Sequence, residues 1–244
     1  MHRLFIPPEW IGQSGVVIAE EQAHHLRDVL RVKYGEEIVL LDDSGYEYLT
    51  RIVDIKRNLV NGEIVEKRLC SGEPEVEITC YQALLKRGKL DIVLQKGTEI
   101  GVKRFVPIVC QRSVARDPGK FRQARWQKIV REAAEQSGRG RIPAVDPLAD
   151  FSQACEQATG ISLLPWEDEP EMGIGTALKK AGNINQLNIF IGPEGGFTID
   201  EIELARKHGI IPVTLGKRIL RAETAGMVAA SVICYEKGEM GKLK

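Results

Sequence analysis

The sequence predicts a two-domain α/β protein, in which a small β-barrel precedes an α/β domain with a parallel sheet. The first 70 or so residues contain short β-branched runs separated by turn residues, which is typical of a small barrel. From Val76 onward, strand-like and helix-like segments alternate, which is typical of a parallel sheet covered on both faces. The stretch CSGEPE (70–75) is rich in turn-forming residues, so we predict domains at 1–72 and 73–244.

The first domain is predicted to contain four strands and one helix. The strand candidates are HRLFIP, GVVIAE, EEIVLLDD and YLTRIVDI, and the helix candidate EEQAHHLRDVL lies between the second and third. In the second domain the strand candidates are VEITCYQALL, RFVPIVC, ISLLPW, LNIFIG and IPVTLG. Helices are predicted over LDIVLQKGTEIG, FRQARWQKIVREAAEQS, 150–158, 171–181, 198–208 and from about Ala225.

The formal net charge of zero hides a strong asymmetry along the chain. Residues 86–141 carry 15 Lys/Arg against 5 Asp/Glu, whereas residues 1–75 carry 9 against 14 and residues 142–214 carry 4 against 11. A basic block of this size is a plausible footprint for a polyanion such as RNA. A solvated helical surface explains the same charges equally well.

Several classes of protein are disfavoured by composition. No apolar run approaches the roughly 20 residues that span a bilayer, and the first residues lack the pattern of a signal peptide. The five cysteines are scattered and never form a CxxC pair, and the adjacent His24 and His25 have no cluster around them. These features predict a cytoplasmic protein without disulfides, without a metal site and without a membrane partner.

Three loops after predicted strands carry the residues best suited to ligand binding: LLPWEDE (163–169), IGPEGGF (191–197) and LGKRILRAETAG (215–226). Ligands of parallel α/β sheets bind at the carboxyl ends of the strands. The chain has no GxGxxG after the first strand of this domain and no GxxxxGK[ST], which argues against dehydrogenases and Walker-type NTPases.

The second loop combines backbone freedom with a defined helix start. Gly192, Gly195 and Gly196 permit a close backbone approach to a ligand, and Pro193 restricts one turn position. The segment Thr198–Glu201 predicts a capping box. A tight strand-to-helix turn without a ligand is the alternative. The third loop surrounds apolar side chains with three cations and leads into a helix rich in small residues, although it also fits a basic helix entry.

The motifs IGPEGGFTIDE and LGKRILRAETAGMVA, with KGTEIGVKRFVPIVCQRS and EAAEQSGRGRIP, resemble the RsmE family of SPOUT RNA methyltransferases. The segment HHLRDVLRVKYGEEIVLLD resembles the family's PUA-like RNA-binding barrel. The resemblance covers essentially the whole chain. It implies a PUA-like β-barrel followed by a SPOUT α/β domain with a C-terminal trefoil knot, which the base rate of knots alone would not suggest.

The resemblance also implies an activity, a cofactor and partners. Members of this family use S-adenosylmethionine to methylate N3 of a uridine in 16S ribosomal RNA, and they act as homodimers with the active site near the subunit interface. The substrate is either naked 16S rRNA or the assembled small ribosomal subunit. The implied cofactor-binding residues are Leu164, Gly192, Pro193, Glu194, Gly196, Leu215, Gly216, Ile219 and Leu220.

Methylation of uracil N3 requires loss of the N3 proton and stabilisation of the negative charge that develops on the ring. Arg221 is the candidate for the stabilising cation, and Glu223 or Glu194 is the candidate for accepting the proton or orienting the arginine. For Glu223, a helix N-terminal charge favoured by the macrodipole is an equally good explanation.

The target base must be unpaired before its N3 edge can be reached. Arg27 and Arg31, four residues apart on one predicted helix, are candidates for phosphate contacts. The other candidates for RNA contact come from the basic block, namely Lys86, Arg87, Lys89, Arg112, Arg139 and Arg141. Two alternatives remain open: another SPOUT activity such as 2′-O-methylation, and a non-catalytic RNA-binding protein.

Overall fold

A computed structural model describes residues 1–86, 88–116, 119, 122–182 and 184–241. The chain forms two compact units. The first comprises Met1–Glu73 and Ala134–Ile142, and the second comprises Pro74–Ala133 and Pro143–Lys244. The segment Ala134–Ile142, which the sequence places in the second domain, therefore groups with the first unit.

The first unit contains a five-stranded sheet. Its strands are β1 (Arg3–Phe5), β2 (Gly15–Ala19), β3 (Glu37–Leu41), β4 (Tyr46–Ile55) and β5 (Leu59–Leu69). They are arranged in the order β1-β3-β4-β5-β2, with β1 parallel to β3 and the other pairs antiparallel. The helical segments are a 3₁₀ turn (Pro8–Trp10), helix α1 (Glu20–His24) and a π-helical turn (His25–Val29).

The four predicted strands are confirmed, but the sequence did not reveal β5. This strand lies between β4 and β2, and only Val60 and Gly62 among its residues are fully buried. Its second half, from Val65 to Leu69, is exposed and carries Glu, Lys and Arg, so the usual alternation of apolar and polar residues is absent. The predicted helix 20–30 is also shorter and less regular than expected.

The second unit contains a sheet in which all pairs are parallel. Its strands are β6 (Glu77–Ala83), β7 (Arg104–Val109), β8 (Ala144–Val145), β9 (Ala149–Asp150), β10 (Ile161–Pro165), β11 (Gln186–Ile191) and β12 (Ile211–Val213). The order is β12-β10-β11-β6-β7-β8, and β9 pairs with β7. The helices are α2 (Lys89–Ile100), α3 (Arg122–Ser137), α4 (Phe151–Gln157), α5 (Ile174–Ala181), α6 (Ile199–Lys207) and α7 (Ala222–Glu236).

The predicted alternation of strands and helices in this unit is confirmed. The short strands β8 and β9 were not predicted, and α7 begins at Ala222 rather than near Ala225. The predicted start of the third helix at Phe121 lies outside the described residues. The trefoil knot that the family resemblance implies stays a prediction.

Strand β11 lies at the centre of this sheet, and its residues from Leu187 to Ile191 are all buried. This burial on both faces explains why the run LNIFI is apolar except for Asn188. The side-chain N–H groups of Asn188 donate to the backbone oxygen of Thr159 (2.7 Å) and to Oγ of Ser162 (2.9 Å). The ring of Phe190 stacks on Tyr81 of β6 with centroids 4.3 Å apart, and it contacts Phe151 edge-on. The core therefore fixes the strand from which the loop 191–197 begins. Within the described part of the chain, no helix is both long and apolar enough to cross a membrane.

Candidate active site

Three neighbouring strands of the parallel sheet, β12, β10 and β11, end at the same edge, and the loop that follows each of them contributes to a pair of cavities. The first cavity has a volume of about 330 Å³ and the second about 320 Å³. Both are lined by Pro165, Glu167, Ile219, Leu220 and Ala225. The two cavities therefore adjoin, and their common wall is formed by the end of β10 with the loop after it, by the loop after β12 and by the start of α7.

The first cavity is mainly framed by the loops after β10 and β12. Its remaining lining residues are Trp166, Glu169, Pro170, Thr214, Leu215, Gly216, Lys217 and Arg218. The second cavity adds the loop after β11 and the beginnings of α2 and α7. Its remaining lining residues are Lys89, Ile191, Gly192, Pro193, Glu194, Gly196, Phe197, Arg221, Ala222 and Glu223.

The structure brings together eight of the nine residues predicted to bind a cofactor. The exception is Leu164, which is fully buried in the core cluster with Phe190 and lines neither cavity. The following residues, Pro165 and Trp166, line the cavities instead. Leu164 lies one residue before the end of β10 and inside the core, and the residues that reach the cavities begin at Pro165, the last residue of the strand.

The loop after β11 needs glycine at two positions for identifiable reasons. Gly196 has φ +69°, and a Cβ there would lie 2.6 Å from Oε1 of Glu167. A Cβ on Gly192 would lie 3.1 Å from the ring of Phe197, whose side chain is buried beneath the loop. The glycines thus allow the backbone to lie against the cavity on one side and a buried ring on the other.

Hydrogen bonds from neighbouring residues hold the same loop in place. The predicted capping box is present, with Thr198 and Glu201 exchanging hydrogen bonds at the start of α6. Glu201 is buried and also accepts a 2.8 Å hydrogen bond from the backbone N–H of Gln111, just after β7. Arg112 donates to the backbone oxygens of Gly195 (2.9 Å) and Phe197 (3.3 Å). Arg112, predicted to contact RNA, therefore stabilises the glycine loop.

Charged side chains of both signs surround the second cavity. Nζ of Lys89 lies 3.1 Å from Oε1 of Glu223 and 3.8 Å from Oε1 of Glu194. Glu194 also accepts a 3.2 Å hydrogen bond from the backbone N–H of Lys86. Within the described residues, the side chain of Arg221 has no hydrogen-bond or ion-pair partner. The cavity therefore combines a paired carboxylate with an uncommitted guanidinium.

The environment of Glu223 keeps its carboxyl group ionised. Burial raises its pKa, but a backbone N–H at the start of α7, the Lys89 hydrogen bond, and the charges of Lys89 and Arg221 together bring the pKa below its ordinary value. A carboxylate at this position can accept a hydrogen bond or a proton. The predicted pair Arg221 and Glu223 thus lies in one cavity, although the chemical roles of both residues stay predictions.

The residues predicted to contact RNA do not share one environment. Arg139 is 2% exposed and pairs with Glu73, with Nη2 and Oε2 3.1 Å apart, so its placement supports a structural role rather than a phosphate contact. Arg31 does not lie four residues along a helix from Arg27, because the helical segment ends before Arg31 and that residue has φ +54°. Arg27 itself pairs with Asp28.

The remaining candidates for RNA contact are partly exposed. Lys86 and Arg141 are on the surface, and Arg141 donates to the backbone oxygen of Ser44. Arg87 lies outside the described residues. Lys89 is the candidate whose position differs most from expectation, because it lines the second cavity instead of an open surface.

Two charged residues of the cavities differ from the sequence prediction. Glu167 lines both cavities but is not among the predicted site residues, and Lys89, which is predicted to contact RNA, lines the second cavity. A signal for both existed: Lys89 follows β6 and Glu167 follows β10, and these strands flank β11 in a predicted parallel sheet. The carboxyl ends of flanking strands meet at the edge where the glycine loop lies.

Comparisons with known proteins agree with this architecture. The family model for an RNA methyltransferase domain matches residues 72–234, and the model for an RNA methyltransferase PUA domain matches residues 18–65. Ribosomal RNA small subunit methyltransferase E of Synechocystis sp. is 34% identical over 95% of this chain and 77% of its own length. The protein of that name from Bacillus subtilis is 31% identical over 90% of this chain and 89% of its own length.

A solved structure shows the same relationship. The crystal structure of a ribosomal RNA small subunit methyltransferase E from Neisseria gonorrhoeae, bound to S-adenosyl methionine, matches with a TM-score of 0.87 and 30% identity. The match covers 96% of this chain and 97% of that one. With both domain models and full-length relatives in agreement, this chain belongs to the ribosomal RNA small subunit methyltransferase E (RsmE) family.

Proposed function

We propose that this protein transfers a methyl group from S-adenosylmethionine to N3 of a uridine in 16S ribosomal RNA. The observation that carries the proposal is the pair of adjoining cavities, of which one offers the apolar side chains of Leu215, Ile219 and Leu220 beside charged residues and the other contains Arg221 and the ionised Glu223. Two adjoining pockets suit a reaction between two molecules. Family membership supplies the class of donor and acceptor.

The residues of the first cavity fit S-adenosylmethionine. Leu215, Ile219 and Leu220 offer apolar surface for adenine, and the backbone at Gly216 has open space beside it. Glu167 is free of a side-chain partner within the described residues, and a carboxylate suits a ligand that carries a sulfonium and an ammonium group. When bound, the cofactor supplies an electrophilic methyl group.

The residues of the second cavity fit the needs of uracil N3. Negative charge develops on the ring as the N3 proton leaves, and the guanidinium of Arg221, which lines this cavity, stabilises that charge in the proposed mechanism. The carboxylate of Glu223 accepts that proton, and Glu194 helps to orient the charged groups. The catalytic contribution of this chain is therefore positioning together with charge stabilisation.

The roles of Arg221 and Glu223 are tested by Arg221→Ala, Arg221→Lys and Glu223→Gln, assayed on small subunits and on naked 16S rRNA. Loss of a cation that faces a developing charge costs about 10²–10³-fold in kcat. We expect Arg221→Ala to show such a loss, and Arg221→Lys to recover part of it. Turnover of Arg221→Ala within a few-fold of the wild type would refute the assignment.

The modified atom is identified by mass spectrometry of nucleosides from rRNA of a deletion strain. The fragment that carries the additional methyl group separates base methylation from 2′-O-methylation of the ribose. Absence of an N3-methyluridine in the complemented strain would refute the proposed activity. Isothermal titration with S-adenosylmethionine separates an enzyme from a non-catalytic RNA-binding protein.

The proposed active form is a cytoplasmic homodimer. On α7, the side chain of Tyr235 is exposed, and Ile219 beside the cavities is 88% exposed despite its apolar character. Exposed apolar groups of this kind are candidates for subunit contacts. Light scattering coupled to size exclusion would give twice the chain mass of 27.2 kDa for the dimer, and a monomer at micromolar concentration would refute it.

A further inference from the structure

Deepening the proposed function, on which this step rests, we infer that Lys89 is a positioning residue of the methyltransferase site. Its ammonium holds Glu223 and Glu194 at the second cavity and keeps Glu223 in the form that can accept the N3 proton. Lys89 thus acts through a carboxylate rather than by binding RNA phosphate.

The geometry of Lys89 supports this role. Its Nζ lies 3.1 Å from one carboxylate oxygen of Glu223 and 3.2 Å from the other, so that it faces both. The same Nζ lies 3.8 Å from Glu194. Without a cation between them, two carboxylates at one cavity repel each other, and protonation of one of them relieves the repulsion.

Lys89 also joins three separate segments of the second unit. It is the first residue of α2, Glu223 lies in the first turn of α7, and Glu194 belongs to the loop after β11. Glu194 is held a second time by the backbone N–H of Lys86. The side chains of Lys89 and Glu223 are 31% and 13% exposed, so the pair is less screened by solvent than an ordinary surface pair.

The groups that face Glu223 determine what removal of Lys89 would do. They are Lys89 from α2, Arg221 just before α7, Glu194 from the loop after β11 and Glu167 from the loop after β10. In the wild type, burial raises the pKa of Glu223, and the backbone N–H, Lys89 and Arg221 lower it by more. Without Lys89, one cation faces three carboxylates, and the pKa of Glu223 rises.

The direction in which pH changes kcat follows from the fact that only the ionised form of Glu223 can act as a base. Glu223 accepts a proton only as a carboxylate, so kcat falls as pH falls through its pKa. Because the wild-type pKa lies below the ordinary value, the base is fully ionised at neutral pH. Loss of a close opposite charge raises a carboxyl pKa by about 1 unit or more. In Lys89→Met, the pH below which kcat falls should therefore be about 1 pH unit higher than in the wild type. In Lys89→Arg, which keeps the positive charge, that pH should return to the wild-type value.

The experiment compares Lys89→Met and Lys89→Arg with the wild type in full pH profiles of kcat and KM on ribosomal substrate. Lys96→Met is the matched control, because it removes the same charge from the same helix, where Lys96 pairs only with Glu99 at the surface among the described residues. We expect an upward shift for Lys89→Met alone, with an unchanged KM for RNA. The inference would be overturned if kcat of Lys89→Met fell at the same acidic pH as kcat of the wild type. It would also be overturned if Lys89→Met had a raised KM for RNA and an RNA affinity that depends less on salt, because both changes are expected when a phosphate contact is lost.

A second measurement does not depend on turnover. The carboxyl carbon of Glu223 is followed by ¹³C NMR during a pH titration of the chain without RNA, with Glu223→Gln to assign the signal. We expect its midpoint about 1 pH unit higher in Lys89→Met than in the wild type, and coincident midpoints would overturn the inference. If the wild type does not methylate rRNA, a shifted midpoint still shows that Lys89 controls Glu223, and only the proposed function fails.

Discussion

The substitution Gly196→Ala tests whether the loop after β11 needs glycine because of the cavity rather than because of its turn alone. Gly196 has φ +69°, and its N–H donates to the backbone oxygen of Pro193 at 3.0 Å, which closes the turn. An alanine in this left-handed conformation costs about 1–2 kcal/mol of stability. Its Cβ would also lie 2.6 Å from Oε1 of Glu167, which is closer than real Cβ atoms approach an oxygen.

Glu167 has to move to accommodate that methyl group, and it lines both cavities. If its carboxylate contacts the cationic cofactor, its displacement removes a hydrogen bond to a charged group, which contributes about 1.5–3 kcal/mol. Isothermal titration should therefore show S-adenosylmethionine binding at least about tenfold more weakly, since tenfold corresponds to about 1.4 kcal/mol. Thermal unfolding of the same variant separately measures the loss of stability that the left-handed backbone conformation of an alanine at position 196 causes.

Gly209→Ala is the matched control for this prediction. Gly209 has φ +75° in the same unit, and a Cβ there would meet nothing within 4 Å. It should lose a similar 1–2 kcal/mol of stability and bind S-adenosylmethionine as the wild type does. Wild-type affinity in Gly196→Ala, or an equal loss of affinity in Gly209→Ala, would show that the Glu167 contact is irrelevant to binding.

Two further predictions concern the residues chosen from the sequence for RNA contact. Glu73→Gln removes the negative charge that pairs with the buried guanidinium of Arg139, so thermal or urea unfolding should become easier by up to about 3 kcal/mol. The salt dependence of RNA affinity should not change, and a changed slope would support Arg139 as a phosphate contact. Arg27→Ala should reduce the slope of log affinity against log salt by about 1 if Arg27 contacts a phosphate, and an unchanged slope would refute that contact.

Much of the fold was predictable because its signals are local. Runs such as LNIFI and ISLL are mostly apolar, as is typical of buried strands of a parallel sheet, and the capping box is formed by Thr198 and Glu201, only three residues apart. Strand β5 lacked such a signal, because most of its outer half is exposed and charged. The assignment of Ala134–Ile142 to the first unit depends on long-range packing, which no local pattern records.

Part of the site was predictable because the backbone conformation of its loops requires glycine and proline, which are visible in the sequence. Glycines and a proline marked the loop after β11, and eight of nine expected cofactor residues line the cavities. Leu164 lines neither cavity because it lies one residue inside the end of β10, and the sequence does not mark the residue at which the strand leaves the core. The partners of charged residues were less predictable, since Arg139 with Glu73 and Lys89 with Glu223 are distant in sequence.

Glu194 illustrates why a charge in a glycine-rich loop is hard to interpret from the sequence alone. Beside a phosphate it would be repulsive, and the sequence offers no sign of the cation that accompanies it. In the structure Lys89 lies 3.8 Å away, and the backbone N–H of Lys86 donates to the same carboxylate. Lys89 and Glu194 are separated by more than a hundred residues and meet because β6 and β11 are adjacent strands. The glutamate therefore links its loop to α2, and the cation that pairs with it also pairs with Glu223, so Lys89 contributes both to holding the loop and to keeping the proposed base ionised.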